Sequence, residues 1–131
     1  MDNLPKLRFQ VSVHGTLPAP GASASLAVSF DSALIQLSLL TRLFIEPDGS
    51  FVWRGTDAGG SDWQVDGNLI DQGESLAYVE LKGNCPEKQF DELLRTLGWP
   101  QQALAFQLPR RGVLLEESEF RRLAGSDEGA I

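Results

Sequence analysis

The sequence contains few of the residues that build reactive or metal-binding sites. Its 131 residues include one cysteine, Cys85, and one histidine, His14. One cysteine excludes an internal disulfide and any zinc site with two or more thiolates, and one histidine leaves almost nothing for imidazole ligation. We therefore expect no metal site, no cofactor, and a protein that works in a reducing cytoplasm.

Long apolar runs and an excess of positive charge are also missing. No stretch approaches the ~18 apolar residues that cross a bilayer, and residues 1–8 lack the basic start and apolar run of an export signal. Eleven Lys and Arg against eighteen Asp and Glu give a net charge of −7, which repels a phosphate backbone. The sequence therefore predicts a cytoplasmic, bacterial-type protein that binds neither membrane nor nucleic acid.

The composition that remains is typical of one folded domain. Hydrophobic residues make up 42% and charged residues 22% of the chain, which is too apolar for a disordered protein. Two domains would each be close to the size at which a core alone barely stabilises a fold. We expect a single α+β domain over residues 1–125 and a disordered tail over residues 126–131.

Alternating apolar and polar residues predict an antiparallel sheet. Residues 7–13 alternate strictly and predict a half-buried strand. Residues 15–25 have no period and include two prolines, which predicts a flexible loop. Residues 26–30 alternate again, with a turn expected directly after them. The apolar residues within 34–45 scatter around a helical wheel but share one face at strand periodicity, so we predict a long strand there.

The pairing of the strands follows from two turns that end in glycine. Residues 47–49 predict a three-residue hairpin loop, because proline fixes φ at the first position and glycine takes the left-handed one. Residues 71–73 repeat the pattern. An odd number of loop residues within 56–62 then keeps both hairpins on one face. The predicted partners are Ile45 and Phe51, Leu43 and Trp53, Leu69 and Ser75, and Val65 and Val79.

This meander has one apolar face, which we expect to form the core. Residues 104–108 and 113–115 predict further strands, for a total of six or more. The predicted inner face consists of Ile35, Leu37, Leu39, Leu43, Ile45, Phe51, Trp53, Trp63, Val65, Leu69, Ala77, Val79 and Leu81.

Two helices complete the predicted fold. Pro86 suits the first helical position, apolar residues follow at helical spacing and Gly98 ends the segment, which predicts a helix from about Pro86 to Leu97. Residues 117–124 predict a short final helix that stops at Gly125. The predicted fold class is α+β: an antiparallel β meander of six or more strands, with one main helix (about 86–97) packed on it and a short C-terminal helix.

Cys85 is the most chemically suggestive residue. It stands at the predicted N-cap of the main helix, where unpaired amides and the helix dipole lower the pKa of a thiol. Residues 79–97, with a strand, a glycine and then Cys85-Pro86 at a helix start, resemble the cysteine motif of the TusA/SirA sulfur-carrier family. The resemblance implies a persulfide-carrying thiol at Cys85; the alternative is a small residue that serves packing.

Trp53 and Trp63 form the second candidate site. Both lie on the predicted inner face, and a tryptophan pair can line a cavity for a small apolar ligand in a cupped sheet. Core packing is the alternative.

The remaining polar candidates each have a structural explanation. His14 could act as a general base, but a solvated strand histidine explains it as well. Asp57, Asp62, Asp66 and Asp71 cluster near the predicted turns, where aspartate bonds its own backbone, although paired acids could also serve hydrolysis or hold a cation. Two basic pairs could bind a phosphate or an acidic partner, or could form local ion pairs with the glutamates between them. The pairs are Arg110 with Arg111 and Arg121 with Arg122.

The outer face of the predicted sheet is less polar than a solvated face should be. A helix, the first strand or a second copy could cover it, and we favour a homodimer through this face. Because no nucleophile, base and orienting group converge in the sequence, the preferred function is a noncatalytic binding or assembly module that associates with itself. The outer face consists of Leu40, Phe44, Val52, Arg54, Gln64, Asp66, Ile70, Leu76, Tyr78 and Glu80.

Overall fold

The chain forms one antiparallel sheet with three helices, and the α+β fold class is as predicted. The computed structural model describes residues 6–16 and 23–126. The strands are β1 (Lys6–Thr16), β2 (Ser23–Ala24), β3 (Leu43–Ile45), β4 (Ser50–Thr56), β5 (Asp62–Gln72), β6 (Ser75–Pro86), β7 (Leu104–Leu108) and β8 (Val113–Glu116). The helices are α1 (Phe30–Ser38), α2 (Glu87–Arg95) and α3 (Glu117–Ala124).

The sheet combines a local meander with a long-range insertion. The strand order is β3-β4-β5-β6-β1-β7-β8, and the short β2 pairs with the end of β1. The first strand therefore lies between β6 and β7, where both of its edges are paired. Of the predicted loop over 15–25, residues 15 and 16 belong to β1, and Ser23–Ala24 form β2. Residues 17–22, and residues 127–131 of the predicted tail, lie outside the described residues.

The first hairpin has the predicted register, and the second has the predicted odd number of loop residues. Leu43 pairs with Trp53 and Ile45 with Phe51. Gly49 closes the loop between them at a φ of 94°. The next loop contains five residues, 57–61, an odd number as expected, so Trp53 and Val65 are direct partners on one face.

The prediction for the β5–β6 hairpin is wrong in register. Gln72 pairs with Ser75, so the turn has two residues and Gly73, at a φ of 65°, is the first of them. A bulge then leaves Ala77 without a partner, and Leu69 pairs with Val79 instead of Ser75. Because one extra residue reverses the side on which a side chain lies, Leu76 and not Ala77 points into the core.

The long strand predicted over 34–45 is also wrong. Its first half is helix α1, and only Leu43–Ile45 is extended. Ile35 and Leu39, which the strand interpretation places in the core, are 56% and 72% exposed on the helix surface. Because α1 carries apolar residues on its outer side too, its sequence lacks the one-sided pattern of an amphipathic helix.

The predictions of a strand over residues 26–30 and of a turn directly after them are wrong, because helix α1 begins there. Ser29 caps the helix, with its hydroxyl oxygen accepting a hydrogen bond from the backbone N–H of Ser32 at 3.0 Å. Asp31 lies in the first turn, where the positive end of the helix dipole favours a carboxylate. Of the alternating residues 26–30, Phe30 is therefore the first residue of α1, and the residues before it lead to the helix cap instead of forming a strand.

The two later helices are confirmed in position. Helix α2 begins one residue later than predicted, with Pro86 as its N-cap in an extended conformation and Thr96 as its C-cap. Helix α3 has the predicted bounds and ends at Gly125. Phe9, Phe90, Phe106 and Phe120 form an aromatic cluster between these helices and the sheet, and the last two rings stack at 4.7 Å.

All three helices pack on the same face of the sheet, which makes that face the core. Helix α1 contacts β3 and β5, α2 contacts β6 and β1, and α3 contacts β1, β7 and β8. Side chains from the three helices and from the inner face form one buried cluster. Within the described residues the opposite face carries no helix, and we call it the open face.

Candidate functional site

Cys85 lies in the core and not at a helix terminus. It is the next-to-last residue of β6 and pairs with Leu7 of β1, and none of its surface is exposed. Pro86, not Cys85, caps α2, so the predicted N-cap position is wrong. Burial raises the pKa of the thiol to about 12, against a smaller opposing effect of the Arg121 guanidinium. This geometry disfavours a persulfide carrier, which needs an accessible thiolate.

The burial of Cys85 can be measured with a thiol reagent. In the native protein at pH 8, we expect the thiol to react with a disulfide reagent at least ~100-fold more slowly than in denaturant, because both access and the thiolate fraction are low. Full reaction within the mixing time, under conditions where circular dichroism shows folded protein, would contradict the buried position.

The tryptophan pair fills the core instead of lining a cavity. Trp53 and Trp63 are 3% and 6% exposed, and their rings meet edge to face at 5.0 Å. The indole N–H of Trp53 donates to the backbone oxygen of Thr41 at 2.9 Å. The ring of Trp63 lies over its cross-strand partner Gly55, where a Cβ would come within 2.3 Å of the ring. The arrangement favours core packing over ligand binding.

His14 and the four aspartates do not converge. The His14 ring stacks on Tyr78 at 5.1 Å on the open face. Partial burial lowers the pKa of His14, and a hydrogen bond with Gln107 offsets part of this effect. Asp57 instead organises the β4–β5 loop, since its Oδ1 accepts hydrogen bonds from two loop amides at 2.9 Å and its Oδ2 pairs with Lys6 at 3.2 Å.

Of the two basic pairs, the C-terminal one forms the local ion pairs expected as an alternative. Arg121 pairs with Glu117, and Arg122 pairs with Glu119. Arg121 also reaches two carboxylates of α2, so it joins both helices over the core. Residues 110 and 111 are exposed in the β7–β8 turn.

The open face is more polar than the sequence indicated. Leu76 is fully buried on the helix side because of the bulge, and Leu40 is partly buried against the core. Exposed Phe44 and partly buried Val52, Ile70 and Tyr78 remain on the open face. Its centre is polar, with Asp66 opposite Lys82 on neighbouring strands. The reason for expecting a dimer through this face is therefore weaker than the sequence suggested.

One polar row crosses four strands of the open face. Arg54 of β4 pairs with Gln64 of β5, which pairs with Asn84 of β6, which pairs with Arg8 of β1. Sequence reasoning placed Arg54 and Gln64 on this face but missed the other two, because the pairing of β1 with β6 joins segments about seventy residues apart. All four side chains of this row can donate hydrogen bonds, and the Gln64 amide donates to Oδ1 of Asp66 at 2.9 Å.

Arg54 lies in an open hollow at the end of this row. The hollow measures about 430 Å³, and Arg42, Thr56, Gln64 and Asn84 also line it. Asp62 lines the hollow as well, and its carboxylate accepts a hydrogen bond from the Thr56 hydroxyl at 3.0 Å. The ion pairs within residues 6–16 and 23–126 use Lys6, Arg121 and Arg122 as their cations, so neither Arg42 nor Arg54 is neutralised by a described carboxylate.

Other kinds of site find no support in the described part of the chain. No group of three His, Cys, Asp or Glu side chains there could hold a metal ion. None of the helices over the described ranges is long and apolar enough to span a membrane. Comparison of the chain with protein families, curated proteins and solved structures finds no match.

Proposed function

We propose that this chain is a noncatalytic binding module of the cytoplasm, and that the open face of its sheet is the recognition surface. The observation that carries the proposal is the hollow around Arg54, which two guanidinium groups line and where the lining carboxylate of Asp62 forms no ion pair with either of them among the described residues. Guanidinium groups bind carboxylates and phosphates through paired hydrogen bonds. The proposed ligand is therefore a small molecule that carries such an oxyanion group.

The position of the hollow supports binding over catalysis. Asn84 can orient a ligand, the Asp62 carboxylate in the lining accepts a hydrogen bond from Thr56, and the cysteine and the histidine of the chain lie elsewhere. Cys85 is inside the core, and His14 stacks on Tyr78 at the other end of the open face. A sheet held by nearly continuous pairing also provides a rigid platform, which lowers the entropic cost of binding.

Titration with inorganic phosphate and with succinate tests this proposal. At constant ionic strength, we expect millimolar binding by calorimetry or by NMR shifts, because one or two exposed guanidinium groups provide only a few kcal/mol. Arg54→Gln should weaken binding at least ~10-fold for whichever oxyanion binds. A preference for phosphate or for the dicarboxylate then identifies the ligand class.

Arg110→Gln is the matched control, since Arg110 is also exposed but lies in the β7–β8 turn. It should bind like the unmodified protein. If neither oxyanion binds, or if both variants weaken binding equally, the hollow is not a specific site and the proposed function fails.

A further inference from the structure

A second hollow lies on the open face, beside the one around Arg54. It measures about 300 Å³ and extends over β5, β6 and β1, and Pro109 after β7 also lines it. The strand registers place its polar side chains in two rows across the three strands, and we call these side chains the polar grid. The near row is Asp66, Lys82 and Gln10, and the far row is Asn68, Glu80 and Ser12.

The polar grid continues the row of donors that contains Arg54. Asp66 follows Gln64 by two residues on β5, and the same spacing separates the two rows on β6 and β1. The near row therefore lies ~7 Å from the donor row, and neighbouring side chains within a row stand ~5 Å apart. The bond between the Gln64 amide and Oδ1 of Asp66 connects the two hollows. A group attached to an oxyanion at Arg54 consequently lies over the near row.

The charges of the polar grid select against a second ion. Asp66 and Glu80 disfavour an anion, and Lys82, which is next to both of them on the open face, disfavours a cation. All three side chains are exposed. The ion pairs of the described residues are formed by other groups, so these three remain available to a ligand.

The hydrogen-bonding groups of the polar grid favour hydroxyls. Its carboxylates only accept hydrogen bonds, its ammonium group only donates them, and its amides and its serine do both. Of the described residues that line this hollow, none is aromatic, so a flat ring system has no stacking partner there. A neutral group that donates and accepts at several neighbouring positions satisfies this mixture, and a hydroxyl is such a group.

We infer that the ligand of the open face is a sugar that carries the oxyanion, either as a sugar phosphate or as a sugar acid. The inference rests on the proposed function, because the oxyanion occupies the hollow around Arg54. The sugar hydroxyls lie over the near row, where Asp66 accepts hydrogen bonds from them and Lys82 donates to them. The sugar part adds affinity through several hydrogen bonds, each of which is weak at an exposed site.

Two pairs of matched ligands test the inference. Glucose 6-phosphate is compared with cyclohexylmethyl phosphate, and glucuronate with cyclohexanecarboxylate, by NMR shifts at constant ionic strength. Within each pair the oxyanion and the ring size are the same, and the hydroxyls are the main difference. The sugar should bind at least ~10-fold more tightly than its hydroxyl-free partner, because several weak hydrogen bonds add. The pair with the tighter sugar distinguishes a phosphate from an acid.

Asp66→Ala locates this advantage at the polar grid. The substitution removes a negative charge near the oxyanion, so the hydroxyl-free ligand should bind as before or slightly more tightly. The sugar should lose most of its advantage, whereas a charge effect alone would change both ligands equally. Asp71→Ala is the matched control, since it makes the same change in net charge at an exposed position near the end of β5. It should keep the full advantage.

The inference and the proposed function fail separately. A sugar that binds no more tightly than its hydroxyl-free partner, or an advantage that survives Asp66→Ala, would overturn the sugar inference and leave the oxyanion site in place. Arg54→Gln should weaken binding of both ligands of a pair. If inorganic phosphate, succinate and all four matched ligands fail to bind, the proposed function is wrong and the sugar inference fails with it.

Discussion

Gly83→Ala is expected to lower the free energy of unfolding by about 3–5 kcal/mol. Gly83 lies in the middle of β6, between Val65 of β5 and Phe9 of β1, and its φ is 142°. A Cβ there would lie 2.1 Å from the backbone oxygen of Gln64. Since the obstacle is backbone and not a flexible side chain, β5 or β6 must shift, and the hydrogen bonds between the two strands must weaken.

Gly60→Ala separates the steric part of this effect from the conformational part. Gly60 also has a positive φ, of 86°, but it lies in the β4–β5 loop, where an added Cβ would meet no atom within 4 Å. Its substitution should cost only about 1 kcal/mol, the penalty of a left-handed backbone. Urea unfolding of both variants measures the difference. Equal losses would show that β5 does not restrict position 83.

The parts of the fold that local turn chemistry determines could be predicted from sequence. The loop at residues 47–49 has a proline and a glycine at the positions that one turn type requires, and these determine the pairing of Leu43 and Ile45 with β4. The parity argument for the next hairpin succeeded because Trp53 and Val65 must both reach the core. In both cases, information within about twenty residues is sufficient.

The failed predictions involve choices that local pattern cannot decide. Residues 34–45 have the pattern of a strand because α1 keeps Ile35 and Leu39 exposed, so the apolar spacing does not indicate a helix. The N-cap serine before α1 is the signal that could have corrected this prediction. The bulge at Ala77 has no comparable signal in the sequence, since both Leu76 and Ala77 are apolar enough to face inward.

The candidate site was the least predictable part, because it depends on contacts between distant segments. The position of Cys85 before a helix predicts a reactive thiol, but the pairing of β6 with β1 buries it. The same pairing aligns Arg8 with Asn84, which completes the polar row on the open face. No pattern in the sequence of the first strand specifies which strands β1 pairs with. Neither the burial of Cys85 nor the polar row could therefore be predicted from the sequence.

Arg121→Met is expected to lower the free energy of unfolding by about 2–4 kcal/mol. The side chain of Arg121 is only 11% exposed, and it pairs with Glu87 and Asp91 of α2 and with Glu117 of α3. Methionine preserves much of the apolar stem but leaves three carboxylates close together without their shared cation. The expected loss is below that for a fully buried ion pair, because the carboxylates remain partly in water.

The neighbouring arginine provides the control that assigns this loss to the position of the charge. Arg122 has an exposed side chain, and among residues 6–16 and 23–126 its ion pair is with Glu119 of its own helix, so Arg122→Met should cost less than about 0.5 kcal/mol. Arg121 also lies 5.2 Å from the ring centre of Phe90 and 5.3 Å from that of Trp99. Urea unfolding at low and high salt then separates two contributions. Repulsion among the three carboxylates is screened by salt, whereas the lost contact with the two rings persists, so Arg121→Met should recover part of its stability at high salt. A loss equal to that of Arg122→Met would mean that α2 and α3 are held together by their apolar contacts alone.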